Sequence, residues 1–274
     1  MRSFQVKKLN FYNTTVLITG ASSGIGKEFA KQLASKGANL ILTARTHKDL
    51  TDVAQELKAE HANIEINVIA VDLSEFNGSR ALFNEINDSG LQVDYLINNA
   101  GFGKFCEFPN ESFETYHKML MLNTNALVEL THLYLPSMVK KNTGGIINVA
   151  SIASFQPLPY QAVYGASKAF VLSFSEALTG ELLDTDIRVM ALCPGMTESR
   201  FMENANADTS NMKMASASEV VSSALRAYDK NRMFTVSGVT HYLTSLIPRL
   251  VSRKRVVKIV VNMFKSSVVG RLSK

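Results

Sequence analysis

With 274 residues, 46% of them hydrophobic, the chain is long enough to bury one large core and still within the size of a single α/β domain. The net charge of +5 is uneven: after Asp229 there are ten basic residues and no acidic ones, which leaves 19 basic against 24 acidic in the rest. Those basic residues are not interleaved with aromatics and accompany no nucleic-acid motif, so no nucleic-acid partner is expected, and no uncharged apolar run reaches membrane-spanning length.

Residues 1–13 read as an N-terminal extension in which Lys7 and Lys8 are followed by no apolar stretch, so no secretory signal is expected there. A cytoplasmic protein is expected, with peripheral contact at a membrane left open. From Thr15 to about Val236, short β-branched apolar runs alternate with amphipathic segments of helical length, the rhythm of a parallel sheet with crossover helices. The first strand, Thr15–Thr19, runs through Gly20-Ala21-Ser22-Ser23-Gly24-Ile25-Gly26 into a helix over Ile25–Lys36 that carries Phe29, Leu33 and Ala34 on one face. Glycines in such a turn let a pyrophosphate approach the backbone, and the helix N-terminus offers unpaired N–H groups, so a dinucleotide is expected there. The second strand, Asn39–Thr43, leads to Ala44 and Arg45. An acid in this place would hold a ribose 2'-hydroxyl and repel a 2'-phosphate, whereas a guanidinium forks onto phosphate, which favours NADP(H).

Further strands are expected at Glu65–Val71, Tyr95–Asn98, Gly145–Val149, Ile187–Leu192 and Met233–Val236, with one long helix over Phe113–Lys141. Cys106 and Cys193 lie in no metal-ligand spacing and read as buried, inert thiols. Between about 194 and 218 an irregular interval holds Met196, Phe201, Met202, Met212 and Met214 without helical spacing, and reads as a mobile substrate flap more than a structural element. In the basic region 239–274, apolar residues recur near helical spacing from Leu243 to Phe264, which predicts one amphipathic helix. Two readings of it stay open: a surface helix dipping into anionic lipid, and, favoured, a helix packed over its own cleft or a neighbouring subunit.

The spacing Gly20-x-x-x-Gly24-x-Gly26, Asn98-Asn99-Ala100-Gly101 closing the fourth strand, Ser151 after the fifth, Tyr164-x-x-x-Lys168 opening a helix and Pro194-Gly195 ending the sixth strand together resemble the short-chain dehydrogenase/reductase family. The likeness extends from about Thr14 to Val236, and the stretch from Ala217 to Arg249 is similar to a bacterial-type subgroup with a basic C-terminal extension. It implies a doubly wound Rossmann-type α/β fold over residues 14–238, of about seven parallel strands in the order 3-2-1-4-5-6-7, in a homodimer or homotetramer. Tyr-x-x-x-Lys alone is weak evidence in a chain with eight tyrosines, and its weight comes from the order of the other motifs.

Tyr164 is the expected catalytic acid/base, with Lys168 and the oxidised nicotinamide lowering its pKa and Ser151 holding the substrate oxygen. Asn123 enters through the resemblance only, as a proton-relay residue. The resemblance likewise places Gly20, Ser22, Ser23, Gly24, Ile25, Gly26, Asp72, Leu73, Asn99, Ala100, Gly101, Pro194, Gly195 and Thr197 against the cofactor, beside Arg45, Tyr164 and Lys168, and leaves Ser199 in doubt. It implies an NADP-dependent oxidoreductase that interconverts a carbonyl and an alcohol, on a small lipophilic ketone or 3-oxoacyl substrate. The rival reading is an NADP(H)-sensing regulator without turnover, against which the intact Ser151, Tyr164 and Lys168 speak. An epimerase or dehydratase would need a larger C-terminal substrate region.

Overall fold

The computed structural model describes residues 9–199, 201, 205 and 214–269, the side chains of 266–269 excepted. Met202, Met212, Lys7, Lys8, Arg271 and Lys274 lie outside the described residues. Seven strands, β1 (Thr15–Thr19), β2 (Asn39–Ala44), β3 (Ile66–Ala70), β4 (Tyr95–Asn98), β5 (Gly145–Val149), β6 (Arg188–Cys193) and β7 (Phe234–Val236), form one sheet in the order β3-β2-β1-β4-β5-β6-β7, parallel at every pairing. This is the Rossmann-type arrangement expected from the sequence. Helices cover both faces, so the inner strands are buried on both sides and read as unbroken apolar runs. Alternation along β1 divides the core: Val16 and Ile18 join a layer with Phe29, Leu33 and Leu50, whereas Leu17 points into the other, with Leu82, Ile86 and Leu130.

The helices around the sheet are α1 (Gly24–Ala34), α2 (His47–Glu60), α3 (Gly78–Asp88), α4 (Phe113–Leu120), α5 (Leu127–Lys141), α6 (Ala162–Glu181) and α7 (Ala217–Asp229). The stretch predicted as one helix over Phe113–Lys141 is interrupted by a π-helical segment, Met121–Ala126, between α4 and α5. Residues 9–12 are packed rather than free: Phe11 is buried against Tyr95, with ring centroids 4.9 Å apart, and the Leu9 N–H donates to Asp229 Oδ1 at 3.0 Å. Cys193 is buried as expected, but Cys106 is only half-buried, its Sγ 3.5 Å from the Tyr116 hydroxyl.

The single amphipathic helix expected in the tail is instead two, α8 (Val239–Leu250) and α9 (Arg253–Val269). Pro248 has no N–H to continue the ladder, and the helix ends at Leu250, with Val251 extended. The Ser252 carbonyl then accepts from the N–H groups of Arg255 and Val256 to start α9. The inner face of α9 lies on the chain itself: Val256 and Val260 are buried beside Tyr116, Leu158 and Tyr164, and Phe264 packs on Phe105 with centroids 5.5 Å apart. Of the two readings of the tail, packing over its own cleft is what the inner face does. No helix among the described residues is long and apolar enough to cross a membrane.

Candidate active site

The strand order reverses between β1 and β4, and the loops leaving the C-terminal ends of the strands there open a cleft of about 600 Å³. Of the residues expected at the site, all but Gly26 and Asn123 line this one cleft, and Ser199 lines it too. Its floor is made by the loops that follow the strands, and its roof by residues of α8 and α9 such as Ile247, Val256 and Phe264.

At one end the turn after β1 has the shape a phosphate needs. Gly20 and Gly24 have φ of +65° and +54°, a region that side chains disfavour. Ser23 caps α1 by position but makes no side-chain capping bond, so the first N–H groups of the helix remain available to an anion. Asn99 fixes the turn from β4: its Nδ2 donates to the carbonyls of Thr19 at 2.9 Å and Gly20 at 3.1 Å. The Thr19 hydroxyl accepts from the N–H groups of Asn99 and Ala100, each at 2.9 Å, so β1 and β4 present the turn as one unit. Gly26 lies behind this turn, where a methyl group would stand 2.2 Å from the Gly20 carbonyl oxygen. Its part is close packing of helix on turn rather than contact with the cleft. Arg45 is exposed at the rim after β2, and Asp72 is held by the Ser74 N–H and hydroxyl at 2.9 and 2.7 Å.

Tyr164 and Lys168 project from the same face of α6 into the middle of the cleft, and both are buried. The Lys168 ammonium donates to the Val149 carbonyl at 2.8 Å and sits 5.9 Å from the centre of the Tyr164 ring. Ser151 follows β5 and caps a short 3-10 turn, its oxygen accepting from the Ala153 N–H at 3.1 Å, while its own O–H reaches the Tyr164 hydroxyl. Burial pushes the Tyr164 phenol up to about 12, against the hydrogen bond with Ser151, and burial pulls the Lys168 ammonium down to about 8. Burial therefore sets the phenol in the empty cleft, and Tyr164 stands there as a protonated donor at neutral pH.

Asn123 is buried behind Lys168, on the π-helical segment. Its Oδ1 accepts from the Phe102 N–H at 3.1 Å, and its Nδ2 donates to the Phe102 carbonyl at 3.0 Å and to the Ser167 hydroxyl at 3.1 Å. A methyl group on Gly101 would lie 2.9 Å from Asn123 Oδ1 and 3.3 Å from Lys168 Nζ, so the glycine keeps these two groups within reach of one small space.

Two further residues were not singled out from the sequence. The His241 ring lies on Gly195, where a Cβ would come within 2.1 Å of it, and this joins α8 to the end of β6. Gln161, three residues before Tyr164, is buried in the cleft wall with its Nε2 lacking a hydrogen-bond partner among the described residues. Phe201, expected within a mobile flap, packs on the Tyr164 ring at 5.4 Å, and a bridge between Thr197 and Ala215 ties the two ends of that interval.

Residues 14–210 match the sequence family described as short chain dehydrogenase. The chain belongs to the short-chain dehydrogenase family. It is 35% identical over 189 residues to sulfoacetaldehyde reductase 2 of Chromohalobacter salexigens, covering 68% of this chain and 73% of that protein. It is 30% identical over 257 residues to the very-long-chain 3-oxoacyl-CoA reductase of Mus musculus, covering 91% and 79%. Among solved structures, a short-chain dehydrogenase from Sphingobium yanoikuyae in complex with NADPH superposes with a TM-score of 0.79 at 31% identity, covering 86% of this chain and 93% of that one. As a short-chain dehydrogenase the protein is an oxidoreductase, with no group of metal-ligating side chains among its described residues.

Proposed function

We propose that this short-chain dehydrogenase reduces a lipophilic ketone or 3-oxoacyl compound to the alcohol with NADPH. The observation that carries the reading is a single cleft whose polar end, from the β1 turn to Arg45, suits a dinucleotide and whose other end is roofed by apolar side chains of α8 and α9. The NADPH-bound structural relative and the 3-oxoacyl-CoA reductase relative support it. The left-handed glycines, the uncapped start of α1 and the Asn99 clamp fit the pyrophosphate and its ribose.

When bound, the reduced nicotinamide supplies the hydride. The chain's own residues do the rest. The O–H of Ser151, which meets the Tyr164 hydroxyl when the cleft is empty, turns to hold the substrate oxygen, and Tyr164, kept protonated by burial, passes its phenolic proton to that oxygen as negative charge develops. Lys168 stabilises the phenolate that results, and Asn123 holds the loop at Phe102 and α6 in place around it. The unpaired Gln161 amide offers a donor to a second acceptor, such as the thioester carbonyl of a 3-oxoacyl substrate.

Lys168 keeps its charge only below about pH 8. The reduction rate is therefore expected to hold level at lower pH and to fall as pH rises through that value. A kcat profile with NADPH checks this; a rate unchanged to two units above the Lys168 pKa would remove the charge of Lys168 from the proton transfer.

The cofactor assignment is tested by Arg45. A charge-assisted bond to phosphate is worth ten- to a hundredfold in affinity when sheltered, and at an exposed rim the lower end applies, so NADPH should bind about tenfold more tightly than NADH. In Arg45→Ala most of that preference should disappear. Equal dissociation constants in the unmutated protein, by fluorescence titration, would refute it.

A further inference from the structure

The inner faces of α8 and α9 are used up by the cleft, but their outer faces are not. Along α8, Val239, Leu243, Ile247 and Leu250 follow one another at helical spacing and are 78%, 59%, 45% and 85% exposed. On α9, Ile259 and Met263 are half exposed, and with Ile247 they also line the cleft, so the apolar stripe runs up to its mouth. Lys254, Lys258 and Lys265 form a second exposed stripe along α9, about 140° round the helix from Ile259 and Met263. Together with Arg249, Arg253 and Arg255 they make six exposed cations between residues 239 and 265, with no acidic residue among them.

We propose that this face docks on an anionic lipid surface, the apolar stripe entering the headgroup boundary and the cations pairing with lipid headgroups, so that the cleft mouth opens toward the bilayer. Neither feature suffices alone. A short apolar stripe binds neutral bilayers weakly, and cations alone are screened within a Debye length, whereas exposed Leu250 stands within five residues of Arg249, Arg253, Lys254 and Arg255, so that the two reinforce each other at one place. A second copy of the chain is a poor occupant, because a two-fold contact across this face would set one all-basic segment against another. The docking stands on the surface itself. Only its use, taking an apolar substrate from the bilayer, rests on the proposed function.

The test is sedimentation of the full chain with phosphatidylcholine vesicles, with and without phosphatidylglycerol. Binding is expected only with the anionic lipid and should be lost near 1 M salt, where the Debye length falls to about 3 Å. Two surface variants, Leu243→Gln/Leu250→Gln and Arg253→Glu/Lys254→Glu, should each lower the bound fraction at least tenfold. Neither should alter reduction of a short, water-soluble ketone without vesicles. Absence of binding to anionic vesicles, equal binding to neutral ones, or a dimer in sedimentation velocity that Leu243→Gln/Leu250→Gln dissociates would overturn the proposal. A protein that binds vesicles yet reduces no ketone would keep the docking and sink the substrate reading.

Discussion

Tyr164→Phe is expected to lower kcat for carbonyl reduction by about two to three orders of magnitude while leaving cofactor affinity within a few-fold of normal. The substitution removes one oxygen and keeps the ring, whose packing on Phe201 at 5.4 Å and burial under α9 are undisturbed. What disappears is the buried acid whose proton burial retains up to about pH 12 and whose hydroxyl meets Ser151. Steady-state rates and cofactor titration on the same preparation check both halves of the expectation. Residual turnover within tenfold of the unmutated protein would transfer the proton donor to another group.

The second large effect is expected from Gly26→Ala, at a residue outside the cleft. The added methyl would lie 2.2 Å from the Gly20 carbonyl oxygen and 2.5 Å from Asn99 Nδ2, both parts of the clamp that shapes the phosphate turn. Backbone on one side and a doubly bonded amide on the other leave little room to yield, so the helix must move away from the turn. Overpacking of this kind costs about 1–3 kcal/mol in stability. Cofactor binding should suffer more than folding, because the N–H groups of α1 retreat from the phosphate; a loss above about tenfold in NADPH affinity is expected, with a folded protein by circular dichroism. Normal affinity would mean that turn and helix are not coupled as described.

The strands and their order were legible because a sheet covered on both faces writes itself as apolar runs, as at Gly145–Val149 and Arg188–Cys193. The glycines, Ser151, Tyr164 and Lys168 were legible through their spacing and order. Gly26 was legible as a motif position but not in its part, which is packing behind the turn. Three features escaped for physical reasons. The π-helical segment has no composition of its own, since the change from i→i+4 to i→i+5 bonding leaves the residue types unaltered. Desolvation of Tyr164 depends on α9, a helix some ninety residues further along, so spacing within α6 could not show that burial would raise the phenol. His241 and Gln161 acquire their places only when α8 and the start of α6 meet the loops from the sheet. The division of the tail into two helices did have a signal, Pro248, and the regular spacing from Leu243 to Phe264 concealed it.

The π-helical segment also bears on which insertions and deletions this chain tolerates. Wide turns of this type carry one residue more than the α-helical path needs, and each residue of an α-helix advances the side chains by about 100°. Removing a single residue between Met121 and Ala126 would let the hydrogen bonds close into an uninterrupted helix, as the sequence alone suggested. The rotation would then turn the Asn123 amide away from Phe102 and Ser167, or else swing α4 off Tyr116's contact with Cys106. A one-residue deletion here, commonly absorbed in a surface loop, should thus disable the protein while raising its helical regularity, and length variation among related chains should avoid this turn.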